Sequence, residues 1–166
     1  FLRDQNLSKF NTRSEFVISD FIKKQKLNDD DIIVYLQPTS PFRTAKHINE
    51  SLKKFMQKPN LSLISVKKNN LTIFKSVKKI SNFMKPIFSE KLLSKNRQSF
   101  PDTFLPNGAI YIFKIKEFKK KKNIPVHKFQ PYIMNNIESL DIDNLEDLKY
   151  ARKLSIAWKD LELEID

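Results

Sequence analysis

The apolar positions change period repeatedly along the chain. Phe16, Val17, Ile18, Phe21 and Ile22 recur about one helical turn apart behind the possible N-caps Thr12 and Ser14, which predicts a helix running to about Leu27. Asn28-Asp29-Asp30-Asp31 interrupts it. Ile32-Ile33-Val34-Tyr35-Leu36 is then β-branched and almost continuously apolar, the pattern of a strand buried on both faces of a parallel sheet. It ends at the polar loop Gln37-Pro38. Ile48, Leu52, Phe55 and Met56 mark a second helix after Thr44, and residues 61–66 read as another buried strand. Strand, helix, strand in that order predicts a right-handed crossover.

From residue 67 to residue 106 the periodicity weakens. Residues 71–77 and 83–88 read as short strands among turns set by Pro86, Pro101 and Pro106, which predicts a projecting β-rich excursion over about 67–104. Regular patterns return with a strand at 109–113, a short basic helix at 115–121, a strand at 132–134 and a terminal helix from Leu145 to about Leu163. The expected fold is α/β with a mostly parallel sheet, in one domain over residues 1–166. Gly108 is the only glycine, which leaves no P-loop and no dinucleotide-binding fingerprint in these residues.

Composition narrows the classes further. An apolar content of 40% suits a packed core rather than a disordered segment. No apolar run approaches the roughly 18 residues that span a bilayer, so no membrane partner is expected. The absence of cysteine excludes disulfides, thiolate metal sites and a cysteine nucleophile, and is compatible with a cytoplasmic location. The formal charge of +12 suggests polyanion binding, yet the excess is nearly all dispersed lysine, with Arg3, Arg13, Arg43, Arg97 and Arg152 far apart. No nucleic-acid partner is therefore expected. Enrichment in Lys, Asn, Ile and Phe is also what an AT-rich genome encodes.

Candidate chemistry lies in three segments. Gln37-Pro38-Thr39-Ser40-Pro41-Phe42-Arg43-Thr44 follows a buried strand, at the end where ligands bind in open α/β sheets. Rigid turn geometry and a Thr44 helix cap account for Pro38, Pro41 and Thr44 but not for Gln37, whose amide both donates and accepts. Asp141-Ile142-Asp143 puts two carboxylates on one side of an extended segment, which suits a hard cation. The same residues also read as a helix start, with Asp143 as N-cap and Glu146 three positions on. Arg97-Gln98 and Pro106-Asn107-Gly108-Ala109 form the third segment, although Asn-Gly is by itself only a turn signal and Arg97 equally a surface residue. Lys119 to Lys122 read as a solvated face, His47 and His127 have no neighbours at metal-ligand spacing, and Trp158 reads as packing.

In this order the segments resemble the CMP-sialic acid synthetase family, or acylneuraminate cytidylyltransferases. Leu2-Arg3 with Leu7-Ser8 is similar to the family's Leu-Arg-Pro stretch, with Asp4 in place of proline. Residues 37–44 match Gln-Pro-Thr-Ser-Pro-Leu-Arg-Thr except at Phe42. Arg97-Gln98, the run from Pro106 to Ile112, Tyr132-Ile133-Met134 and Ser139-Leu140-Asp141-Ile142-Asp143 follow in the family's order and approximate spacing.

The resemblance implies a Rossmann-like nucleotidyltransferase fold joining CMP from CTP to the anomeric hydroxyl of an acidic nine-carbon sugar, with magnesium as cofactor, in a homodimer. It puts Arg3 near the nucleotide, Gln37 near the sugar, Asn107 and Tyr111 in the pocket, and Asp141 and Asp143 at the metal, Asp143 also counting as catalytic. Lys75 and Arg97 become catalytic cations approaching the sugar carboxylate or phosphates, and the excursion becomes a dimerisation arm. Ile124-Pro125 stands roughly where the family often has an aromatic pair against the sugar's acyl group. The family's opening βα unit, with its basic triphosphate loop, has no counterpart here, so the chain reads as a fragment of a longer protein. A non-catalytic basic binding module with the same fold is the alternative, and the coding sequence upstream of Phe1 separates the two.

Overall fold

The computed structural model describes residues 2–9, 11–69 and 71–162. Its elements are α1 (Ser14–Lys24), β1 (Ile32–Tyr35), α2 (Ala45–Gln57), β2 (Ser62–Lys68), β3 (Val77–Ile80), β4 (Phe83–Pro86), the short α3 (Glu90–Leu93), β5 (Phe104–Lys114), α4 (Ile115–Lys121), β6 (Phe129–Ile133) and α5 (Leu145–Glu162). Leu163, at the expected end of the last helix, and the side chain of Trp158 lie outside the described parts. Among the described residues no helix is long and apolar enough to cross a membrane.

A four-stranded sheet in the order β1-β5-β2-β6 forms the centre. It is mixed. β5 runs antiparallel to both β1 and β2, whereas β6 runs parallel to β2, so β1, β2 and β6 share one direction. The expected mostly parallel sheet is thus present in strand direction but not in pairing, because the long β5 separates β1 from β2.

Alternation along the strands sorts side chains into two layers. Val34, Leu36, Ile110 and Ile112 pack with Phe55, Leu63 and Met134 under α2. Ile33, Tyr35, Tyr111 and Phe113 pack with Ile18 and Ile22 of α1 and with Ile115 and Phe118. Covering both faces accounts for the continuous apolar run of β1. Ile32 is nevertheless exposed and the rest of the strand only half-buried, because β1 is an edge strand hydrogen-bonded to β5 alone.

The excursion leaves the sheet after β2. Residues 71–75, read from the sequence as part of a strand, form a 3-10 turn, and β3 and β4 pair as a separate two-stranded ribbon. Phe74 stacks on Phe100 at 4.8 Å and lies 6.2 Å from Phe88, giving the excursion its own small core. Phe83, Met84, Ile87 and Phe88 are more than half exposed.

Candidate active site

The carboxyl ends of β1, β2 and β6 converge, and the loops after β1 and β6 are tied together there. Thr44 caps α2 by accepting from the His47 N–H at 3.4 Å, and His47 Nδ1 accepts from the Thr44 N–H at 3.2 Å. The buried His47 also brings Nε2 within 3.4 Å of Glu138 Oε1 in the loop after β6. Arg43 donates to the carbonyls of Gln37 at 2.7 Å and Ala109 at 3.0 Å. Desolvation lowers the Arg43 pKa from its ordinary value, and the guanidinium serves as a clamp between loop and strand. The Ile142 N–H bonds the Thr39 carbonyl at 2.9 Å, fixing Asp141 and Asp143 against the Gln37 loop.

Opposite these loops, β5 bulges. Its register with β2 passes from Ile64↔Tyr111 to Val66↔Pro106, so residues 107–110 face Ser65 alone. The buried Ser65 hydroxyl fills the gap, accepting from the Ile110 N–H at 2.7 Å and lying 2.5 Å from Asn107 Oδ1. Asn107 Oδ1 also accepts from the Ala109 N–H at 3.2 Å, and Nδ2 donates to Ser139 Oγ at 2.8 Å. Gly108 adopts φ +79°, and a Cβ there would lie 2.1 Å from Gln37 Oε1. The bulge re-aims the strand toward the loops and needs glycine at its tip.

The result is an open cleft of about 390 Å³ lined by Gln37, Lys67, Leu105, Pro106, Asn107, Gly108, Tyr111, Ser139, Asp141 and Asp143. Burial, with Tyr35 and Asp141 nearby, pushes the Tyr111 phenol above its ordinary pKa and keeps it a proton donor. Asp141 Oδ1 is buried without a hydrogen-bond partner, the kind of oxygen that a hard cation satisfies. Asp143 is exposed and is not the helix cap. Asn144 Oδ1 accepts from the Glu146 and Asp147 N–H groups at 2.8 and 3.0 Å, while Asp147 Oδ2 accepts from Asp143 N and Asn144 N at 3.1 Å each. The capping box starts one residue later than the sequence suggested, which frees the Asp143 carboxylate for the cleft.

No family model matches the chain. It is 31% identical over 147 residues, 83% of its length, to an N-acylneuraminate cytidylyltransferase of Escherichia coli, covering 32% of that relative. An N-acylneuraminate cytidylyltransferase of Streptococcus agalactiae is 25% identical over 148 residues, 88% of this chain and 35% of the relative. A CMP-N,N'-diacetyllegionaminic acid synthase of Legionella pneumophila is 30% identical over 128 residues, 75% of this chain and 53% of the relative. The chain is homologous to the N-acylneuraminate cytidylyltransferases. It spans about a third of the length of those two cytidylyltransferases, at 32% and 35%.

Of the positions that the cytidylyltransferase resemblance singled out, the fold gathers Gln37, Asn107, Tyr111, Asp141 and Asp143 in one cleft. The Asn107 amide is engaged by protein partners, which makes it a brace for the bulge. Arg3, Lys75 and Arg97 do not line the cleft: Arg3 and Arg97 are exposed, and Lys75 ends the 3-10 turn of the excursion. Ile124 packs against the α1 and α4 layer, and the Pro125 carbonyl accepts from Ser62 Oγ, so that pair also belongs to the framework. Lys67, and Ser139 from the motif that ends in Asp143, join the cleft lining without having been given a role. No local signal marks Lys67, because nothing in the sequence shows which face of β2 meets the cleft.

Proposed function

We propose that the protein is a cytidylyltransferase transferring CMP from CTP to the anomeric hydroxyl of N-acylneuraminate or a related nonulosonic acid, on a Rossmann-like nucleotidyltransferase fold. The observation that carries this reading is the convergence of Gln37, Tyr111, Asp141 and Asp143, distant in sequence, on one cleft at the carboxyl ends of co-directional strands. The sugar hydroxyl oxygen forms the new bond to the α-phosphorus, the bond to the bridging oxygen breaks, and pyrophosphate leaves as the hydroxyl proton is released.

In this reading Gln37 orients the sugar and Tyr111 donates a hydrogen bond. Asp141 and Asp143 would hold magnesium, which would neutralise phosphate charge. Among the described residues no third carboxylate or imidazole joins them, so a bound cation would draw its remaining ligands from substrate or water. Arg3 faces the nucleotide. Lys75 and Arg97 meet substrate through a homodimer in which the excursion's exposed apolar side chains are covered. The protein works in the cytoplasm, without nucleic-acid or membrane partners.

The non-catalytic binding module draws on one specific observation, the position of Arg3, Lys75 and Arg97 outside the cleft. Pyrophosphate release from CTP by the intact protein separates the two readings. The enzyme requires both N-acetylneuraminate and a divalent cation and loses release on Asp143→Asn. Ligand binding with no release under any of these conditions leaves the module.

A further inference from the structure

Among the described residues Lys67 is the sole cation lining the cleft. It lies near the carboxyl end of β2, opposite Leu105 at the cleft rim, and on the same strand face as Ser65, which meets Asn107. Lys68 points to the other face and pairs with Asp102 at 3.0 Å. Lys67 is half-buried and forms no ion pair with a carboxylate among the described residues, although Asp141 and Asp143 line the same cleft. An ammonium with no carboxylate partner among the described residues, beside polar and otherwise neutral or acidic walls, is open to an anionic ligand.

We propose that Lys67 docks the anionic group of the substrate, the carboxylate of the acidic sugar or the phosphate of the cytidine nucleotide, while Asp141 and Asp143 face the cation. This assignment rests on the cytidylyltransferase reading. Of the remaining polar cleft side chains, Gln37 and Tyr111 offer hydrogen bonds and Asn107 and Ser139 bond each other, and none carries positive charge. Lysine contributes a compact point charge with three donors, suited to phosphate or to a single carboxylate oxygen.

The test is equilibrium binding to the intact protein, comparing N-acetylneuraminate with its uncharged methyl ester, and CMP with cytidine. Lys67→Met is expected to weaken one of the two anions roughly tenfold to a hundredfold. Its uncharged counterpart should bind unchanged, and Lys67→Arg should recover most of the loss. The anion that weakens identifies the docked group. Equal affinity of Lys67→Met and wild type for both anions overturns the assignment, as does equal weakening of charged and uncharged forms. Lys67→Gln repeats the comparison should Lys67→Met fail to fold. Wild-type protein that binds neither sugar nor nucleotide brings down the enzyme reading and this assignment together. Cation-dependent pyrophosphate release that is lost in Asp143→Asn, beside unchanged anion binding in Lys67→Met, brings down the Lys67 assignment alone.

Discussion

Replacing Gly108 with alanine perturbs the cleft in two separable ways. At φ +79° an alanine carries the steric cost of the left-handed region, about 1–2 kcal/mol. The new Cβ would also sit 2.1 Å from Gln37 Oε1 and 3.3 Å from its Cδ, while meeting Asp141 Oδ2 at an ordinary 3.6 Å. The Gln37 amide is the end of a flexible side chain, so it swings aside at little cost in stability but leaves its place in the cleft. At roughly 2–4 °C per kcal/mol for a chain of this size, the melting temperature should fall by about 2–8 °C. Ligand affinity should fall about as far as in Gln37→Ala, roughly 1 kcal/mol or fivefold for one neutral hydrogen bond. Thermal denaturation and calorimetric titration with N-acetylneuraminate on wild type, both single variants and the double variant form a complete cycle. In the Gln37→Ala background Gly108→Ala should still lower the melting temperature but remove no further affinity. An unchanged melting temperature in Gly108→Ala refutes the strain argument, and fully additive affinity losses refute the steric route through Gln37.

Three other outcomes follow from the same geometry. Asn144→Ala should cost about 1 kcal/mol of stability by loss of the cap, whereas Asp143→Asn should leave urea denaturation unchanged and abolish cation-dependent turnover; the opposite pattern returns the cap to Asp143. Asn107→Leu should cost about 2–4 kcal/mol in urea denaturation because it deprives the buried Ser65 and Ser139 hydroxyls of their amide partner, and a loss below about 0.5 kcal/mol excludes a bracing role. Sedimentation of the intact protein should show a dimer that Phe83→Ser with Met84→Ser converts to monomer, since both side chains are more than half exposed; wild type sedimenting only as monomer at micromolar concentration refutes the arm.

Local periodicity made most elements legible. Apolar spacing in α1, α2 and α4 and the β-branched run of β1 are short-range properties, and those elements form close to where they were read. The antiparallel pairing of β1 was not legible, because a strand covered on both faces is apolar whichever way its neighbour runs, and its neighbour β5 is distant in sequence. Residues 71–75 carry apolar side chains that suit a short strand or a 3-10 turn equally, and the stacking of Phe74 on Phe100 accompanies the turn.

The candidate site divides in the same way. Gln37, Asn107, Asp141 and Asp143 drew attention because their segments lie near strand ends and loop starts, whereas Tyr111 entered only through the family resemblance. The sequence reading put the cap of the last helix at Asp143, although the adjacent Asn144 is a residue type that caps equally well. The capping hydrogen bonds of Asn144, together with the Ile142 N–H bond to the Thr39 carbonyl, decide it in three dimensions. Lys67 was one lysine among many and was assigned to the root of the excursion. Its place in the cleft depends on β2 extending to Lys68 and on a bulge in a strand distant in sequence, a long-range arrangement that only the assembled sheet creates.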